Sequence, residues 1–141
     1  FKSNIKVVTP SMRLGMILCE SPEVDLRILG GRVVSSIMAV RDEYSILGLR
    51  NVRCTKAFFS CDGFSIEDGV TSSCVEEAHL TECLMNVAQQ RILLADSSKV
   101  GKCGFGRICG LEEIDTLITD SGISESLKNK IEALGVEVII A

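Results

Sequence analysis

Tryptophan is absent from this sequence, aromatic residues make up 4% of it, and there is one histidine. Each shortage excludes something. Without large rings the core must be aliphatic. A lone histidine, His79, gives no basis for a Ser-His-Asp set. It also leaves a zinc site short of ligands, because such sites need close pairs of soft donors and no C-x-x-C pair occurs. No metal and no cofactor is expected. No apolar run approaches the length of a membrane span, and no signal-peptide pattern is read at the start. There is no long block of like charges, hence no basic arm or acidic tail. A formal net charge of −4 argues against nucleic-acid binding by this chain.

What is present reads as one globular domain over 1–141, long enough to bury a substantial core. The chain is 46% hydrophobic and 24% charged, in the ordinary range for such a domain. Seven cysteines, at 19, 54, 61, 74, 83, 103 and 109, read as reduced thiols that serve mostly as small hydrophobes. A cytoplasmic protein is expected. The chain opens on FKSNIKVVTPS, without Met, and is expected to be a piece of a longer protein.

Strands and helices alternate. IKVVT (5–9) predicts a short buried strand. Ser11 is an N-cap candidate for a helix with Met12, Met16 and Cys19 at i, i+4, i+7. VDLRIL (24–29) predicts a strand ending at Gly30-Gly31. Residues 42–52 predict a helix with an imperfect apolar face. KAFFSCDG (56–63) predicts a strand running into a turn. Leu80, Cys83, Leu84, Val87 and Ala88 repeat at helical spacing. RILLAD, GRIC, TLITD and VEVIIA predict strands. SESLKNKIEALG predicts a helix with Ser124 as N-cap and Gly135 just past its end. This alternation means βαβ units, an α/β fold and a mostly parallel sheet with flanking helices.

In open α/β sheets, ligands bind outside the carboxyl ends of the strands. Several predicted strands end in polar groups: Thr9 to Ser11, Cys61-Asp62-Gly63, Asp96 to Lys99, and Thr119-Asp120. Each has a bland and a functional reading. Thr9-Pro10-Ser11 joins a strand to a helix start, which suits a phosphate and equally an ordinary cap. Asp62 suits sugar hydroxyls, or a turn in which it bonds its own backbone. Gly69, Val70 and Thr71 permit close backbone approach to a ligand, or form a simple turn. Glu76 and Glu77 complement a helix dipole. Lys99 is the sharpest candidate: a rim lysine could ion-pair a ligand anion, or form a Schiff base if its pKa fell, or stand solvated beside Asp96.

AFFSCDGFSIEDGVTSS, ILLADSSKVG and IDTLITDSGIS…LGVEVIIA, in this order and spacing, resemble the effector domain of DeoR-family transcriptional repressors. VVTPS and RILGGRV fit the same pattern upstream, so the resemblance covers nearly the whole chain. It implies a fold like ribose-5-phosphate isomerase and glucosamine-6-phosphate deaminase, N-terminally incomplete. The family's winged helix-turn-helix and first phosphate loop are not in the sequence. It implies a non-enzymatic, cytoplasmic, homo-oligomeric sensor of a phosphorylated sugar or related metabolite. DNA would be bound only through the absent domain. Carried over by position, Thr9 and Ser11 help hold the phosphate, and Asp62, Glu76 and Lys99 face the sugar. Gly69, Val70 and Thr71 line the pocket. Two positions depart from the pattern: Pro10 stands where the family commonly has Asn, and Glu82 where it commonly has Lys. A catalytically active sugar-phosphate isomerase of related fold is the alternative function. An oligomerisation domain whose polar loops are ordinary turns is a third.

Overall fold

The computed structural model describes residues 4–141. By packing, the chain falls into two compact units, Phe1–Asn51 and Val52–Ala141.

In the first unit, β1 (Ile5–Thr9) and β2 (Val24–Ile28) pair in parallel, with Val7 opposite Leu26. The expected burial of β1 is reached only at its end. Thr9 is buried while Ile5 is 41% exposed, because β2 is its sole strand partner among the described residues. Helix α1 (Met12–Leu18) starts where expected, with Leu14 N–H donating to Ser11 Oγ at 3.2 Å. Its inward residue is Gly15 rather than the expected Met12/Met16 stripe, and Met16 is 66% exposed. A Cβ at position 15 would collide with Ile28 Cδ1, so a missing side chain makes this helix–strand contact. A short antiparallel pair, β3 (Val33–Val34) and β4 (Ala39–Val40), is followed by α2 (Glu43–Leu47). α2 is much shorter than the helix expected over 42–52. Asp42 caps its start through Ser45 N–H, and Asn51 beyond it adopts φ 64.

The second unit contains β5 (Cys54–Phe59), β6 (Gly63–Ser65), β7 (Gly69–Ser72), α3 (Val75–Asn86), β8 (Ala88–Leu94), β9 (Gly106–Cys109), β10 (Thr116–Thr119), α4 (Glu125–Glu132) and β11 (Glu137–Ile140). Four strands form a parallel sheet in the order β11-β10-β8-β5, the expected α/β architecture. On one face Phe59, Leu93, Leu117 and Val138 stand in register and are buried with Ala78 and Met85 of α3 and Ile131 of α4. The core is mostly aliphatic, but Phe59 and the fully buried Phe64 belong to it, so the scarcity of aromatics does not keep rings out. On the opposite face Phe58, Leu94 and Ile139 are exposed. Helix α4 begins on Ser124, whose Oγ accepts from Leu127 N–H, and the turn after it closes on Gly135 at φ 89.

One element group was not expected. GFSIEDGVTSS is a hairpin, β6 against β7, and β9 joins it to make a three-stranded antiparallel sheet. At three glycines its strands and the loop before β9 approach so closely that no side chain would fit. A Cβ at Gly63 would collide with Lys102 O, one at Gly104 with Ser72 O, and one at Gly69 with Cys109 O.

Candidate ligand site at the strand ends

The parallel sheet delivers its polar groups to one rim, as the α/β arrangement requires. Three of its strands run into a small buried residue and then an aspartate: Cys61-Asp62 after β5, Ala95-Asp96 after β8, and Thr119-Asp120 at the end of β10. The small residues let the chain turn up and out of the core. The aspartates then meet backbone N–H groups that the sheet no longer uses.

Each carboxylate is organised in a different way. Asp62 Oδ2 accepts from Ser73 N–H at 2.6 Å and from Ser72 Oγ at 3.2 Å. These bonds, the Ser73 amide first, hold its pKa below the ordinary value, with Lys99 adding to the effect and partial burial opposing it. Asp96 Oδ1 accepts from Ser98 N–H at 2.9 Å and caps the 3-10 turn Ser97–Lys99. Its pKa is lowered by the Ser98 hydroxyl and amide and also by Lys99. Asp120 takes Ser97 N–H and Oγ and Gly122 N–H, and is lowered by the Ser97 contacts first. All three aspartates are therefore ionised near neutral pH.

Lys99 is half-buried at the end of its turn. Its positive charge bears on Asp62, Asp96 and the buried Cys61 thiol alike. Burial pushes that thiol up to about 11, so Cys61 is a neutral floor residue rather than a nucleophile.

The other expected residues are distributed as follows. Thr71 is joined to this rim: Asp62 N–H donates to its carbonyl at 2.9 Å. Its hydroxyl is buried, donating to Gly63 O at 3.0 Å and accepting from Gly104 N–H at 2.9 Å. Val70 is fully buried in the core, and Gly69 sits at the far end of β7 at φ 75. Glu76 lies in the first turn of α3 and accepts from the Cys74 thiol at 2.8 Å. Thr9 and Ser11 lie in the first unit. Thr9 Oγ1 accepts from Ser11 N–H at 3.1 Å and Ser11 Oγ caps α1, so both hydroxyls serve the local turn. A shallow depression of about 290 Å³ between Asn4, Lys6, Pro22, Glu23, Val24 and Asp25 lies at the amino ends of β1 and β2, away from their polar carboxyl ends. The exposed Lys6–Asp25 pair, at 3.9 Å, lies in it.

Ser72 and Ser73 escaped the sequence reading. The available signal was VTSS directly after a glycine-led strand, where small hydroxyl residues can fold over a neighbouring carboxylate.

Residues 1–121 match the DeoR C terminal sensor domain. The chain belongs to that family. DeoR-type relatives align along almost its full length. It is 29% identical over 134 residues to an uncharacterized HTH-type transcriptional regulator, YulB, of Bacillus subtilis (strain 168), covering 95% of this chain and 52% of that protein. It is 27% identical over 139 residues to the HTH-type transcriptional regulator GolR of Listeria innocua, covering 99% and 55%. It is 32% identical over 139 residues to a lactose phosphotransferase system repressor of Staphylococcus epidermidis, covering 96% and 54%. The chain thus spans about half the length of the curated relatives it matches. Among the described residues no helix is long and apolar enough to cross a membrane.

Proposed function

We propose that this sensor domain binds a phosphorylated sugar or related polyol phosphate at the strand-end rim of its second unit. Lys99 pairs with the anionic group and Asp62 accepts from sugar hydroxyls. Ser72, Ser73, Thr71 and Glu76 shape the adjoining wall. The observation that carries this reading is the shared field of Lys99 on Asp62, Cys61 and Asp96, which puts one cation among ionised acceptors at the carboxyl ends of β5 and β8. A ligand with an anion and several hydroxyls complements that pattern. The printed name of the lactose phosphotransferase system repressor supports a sugar-related ligand. The phosphate-loop role that the family resemblance implies for Thr9 and Ser11 is a separate proposal for the first unit, and the reading of the second unit stands without it.

The role is regulatory rather than catalytic. An isomerase needs a base poised near neutral pH to move a proton beside a carbonyl. Asp62 is instead held below the ordinary carboxylate range by the Ser73 amide, which makes it a weak base and a good acceptor. The whole cytoplasmic protein, an oligomer in this reading, binds DNA through a part outside this chain, as the HTH-type relatives' names suggest.

The test is a thermal-shift titration with ribose 5-phosphate, glucose 6-phosphate, the unphosphorylated sugars and inorganic phosphate. A bound sugar phosphate at a hundred times its Kd adds about 2.7 kcal/mol by mass action. The sugars alone shift less. Equal shifts with and without the phosphate remove the anion-pairing role of Lys99. Turnover in an aldose–ketose assay would establish the isomerase instead.

A further inference from the structure

We propose that Asp120 is a positioning residue: by gripping Ser97 it fixes the Ser97–Lys99 turn to β10 and so sets where the Lys99 ammonium stands. This deepens the strand-end reading above and rests on it. The turn that carries Lys99 follows β8. Its internal bonds, Asp96 Oδ1 from Ser98 N–H and Asp96 O from Lys99 N–H at 3.1 Å, close the turn on itself. They do not tie it to a second strand. Gly101 N–H, donating to Phe64 O at 2.9 Å, holds the chain just beyond Lys99 to β6, and Asp120 holds the first residue of the turn to the end of β10. Its Oδ2 accepts from Ser97 N–H at 2.7 Å and its Oδ1 from Ser97 Oγ at 2.8 Å, so both oxygens hold one residue by backbone and side chain. Gly122 N–H donates to the same Oδ1 at 2.7 Å and orients the carboxylate in turn. Hydrogen bonds to an ionised carboxylate are roughly twice as strong as neutral ones.

Gly122 is exposed, yet the space where its side chain would stand is taken by the clamp. A Cβ at Gly122 would collide with Ser97 Oγ and lie 2.8 Å from Asp120 Oδ1. Glycine at 122 is therefore part of the device. Both carboxylate oxygens are occupied by the protein, so Asp120 acts on the ligand through Lys99, two residues beyond Ser97.

The test combines Asp120→Ala, Gly122→Ala and Lys99→Ala, alone and each of the first two with the third. Calorimetric titration with ribose 5-phosphate gives one readout. Lys99→Ala weakens binding by about tenfold or more, the factor that about 1.4 kcal/mol represents. Asp120→Ala and Gly122→Ala each weaken it by much of that factor, and neither weakens it further once Lys99 is gone. Gly122→Ala keeps every charge in place and so separates placement from field. Equal losses with and without Lys99 would overturn the proposal, because Asp120 would then be acting on its own. The second readout needs no ligand: NMR titration of the Asp62 carboxyl. Lys99→Ala raises its pKa, Asp120→Ala and Gly122→Ala raise it in the same direction, and the double variants go no higher than Lys99→Ala. If the parent chain fails to bind ribose 5-phosphate, the ligand reading fails for that probe while the Asp62 titration still decides. An Asp62 titration unchanged by both Asp120→Ala and Gly122→Ala sinks the positioning role.

Discussion

At the residue scale, the second unit separates side chains that hold the fold from side chains that face outward with a charge. Lys99 belongs to the second kind. It is half-buried, and no hydrogen bond from it ties the core together. Lys99→Ala is expected to leave stability within about 0.5 kcal/mol of the parent, as surface changes usually do, while removing most of the thermal response to a sugar phosphate. A large fall in melting temperature would make Lys99 structural. The loop that follows offers a paired contrast between two glycines. Gly101 adopts φ 72 in open space, so Gly101→Ala meets only the left-handed backbone penalty of roughly 1–2 kcal/mol. Gly104 lies against Ser72 O and Ser73 N, backbone that cannot swing aside. Gly104→Ala should destabilise by more than Gly101→Ala, about 1–3 kcal/mol for overpacking or above, measured by urea unfolding of both variants. The reverse order would mean that the loop before β9 packs loosely on the end of β7.

At the element scale, legibility follows the length and apolarity of each segment. β8 ends on the aliphatic run 92–94, β10 and β11 are apolar at their centres, and α4 has a serine cap, a periodic face and a terminal glycine. These were readable from the sequence, except that Ala88, counted in the helical repeat, opens β8. The hairpin β6–β7 was not. GVTS is buried at every position, yet it carries Gly, Thr and Ser, whose burial depends on bonds such as Thr71 Oγ1 to Gly63 O that no hydropathy pattern records. α1 misled for a related reason: its packing residue is Gly15, which has no side chain to register in a periodic count. The candidate site divides in the same way. Asp62 and Lys99 were found because they end strands that could be read. Ser72, Ser73 and the Asp120–Ser97 grip depend on which loops the three-dimensional sheet order brings together. That order also makes adjacent residues of one strand unequal. Leu93 is fully buried on the helix-covered face, whereas Leu94 is 42% exposed on the other. Leu93→Ala should cost about 2–5 kcal/mol and Leu94→Ala far less, both read from denaturant midpoints. Similar costs at the two positions would show that the open face of the sheet is covered in solution.

At the scale of the whole molecule, charge and burial together set the pH range of stability. Asp42, Asp62, Asp96 and Asp120 all have pKa values below the ordinary one, chiefly through N–H and hydroxyl donors. A depressed carboxylate contributes stability that is fully present above its unfolded value, about 3.9. That contribution is lost as pH falls through the folded values. The acid limb should therefore begin near pH 4 and steepen below it, with no loss between pH 7 and pH 5 from these groups. The alkaline side has a different origin. Burial raises Cys61 to about 11 and Cys109 to about 12, so in the folded chain both thiols keep their protons well above the unfolded value. A raised thiol contributes stability present below the unfolded pKa of about 8.5, and lost as pH rises toward the folded values. Lysine and tyrosine titrate in the same range, so the comparison must be internal. A Cys61→Ala/Cys109→Ala chain is expected to be less stable at pH 7, because two buried groups are removed, yet to lose less additional stability than the parent between pH 8.5 and pH 10.5. Chemical denaturation of both chains across that interval, under reducing conditions, is the measurement. Parallel curves would mean that the two thiols do not change their protonation on unfolding.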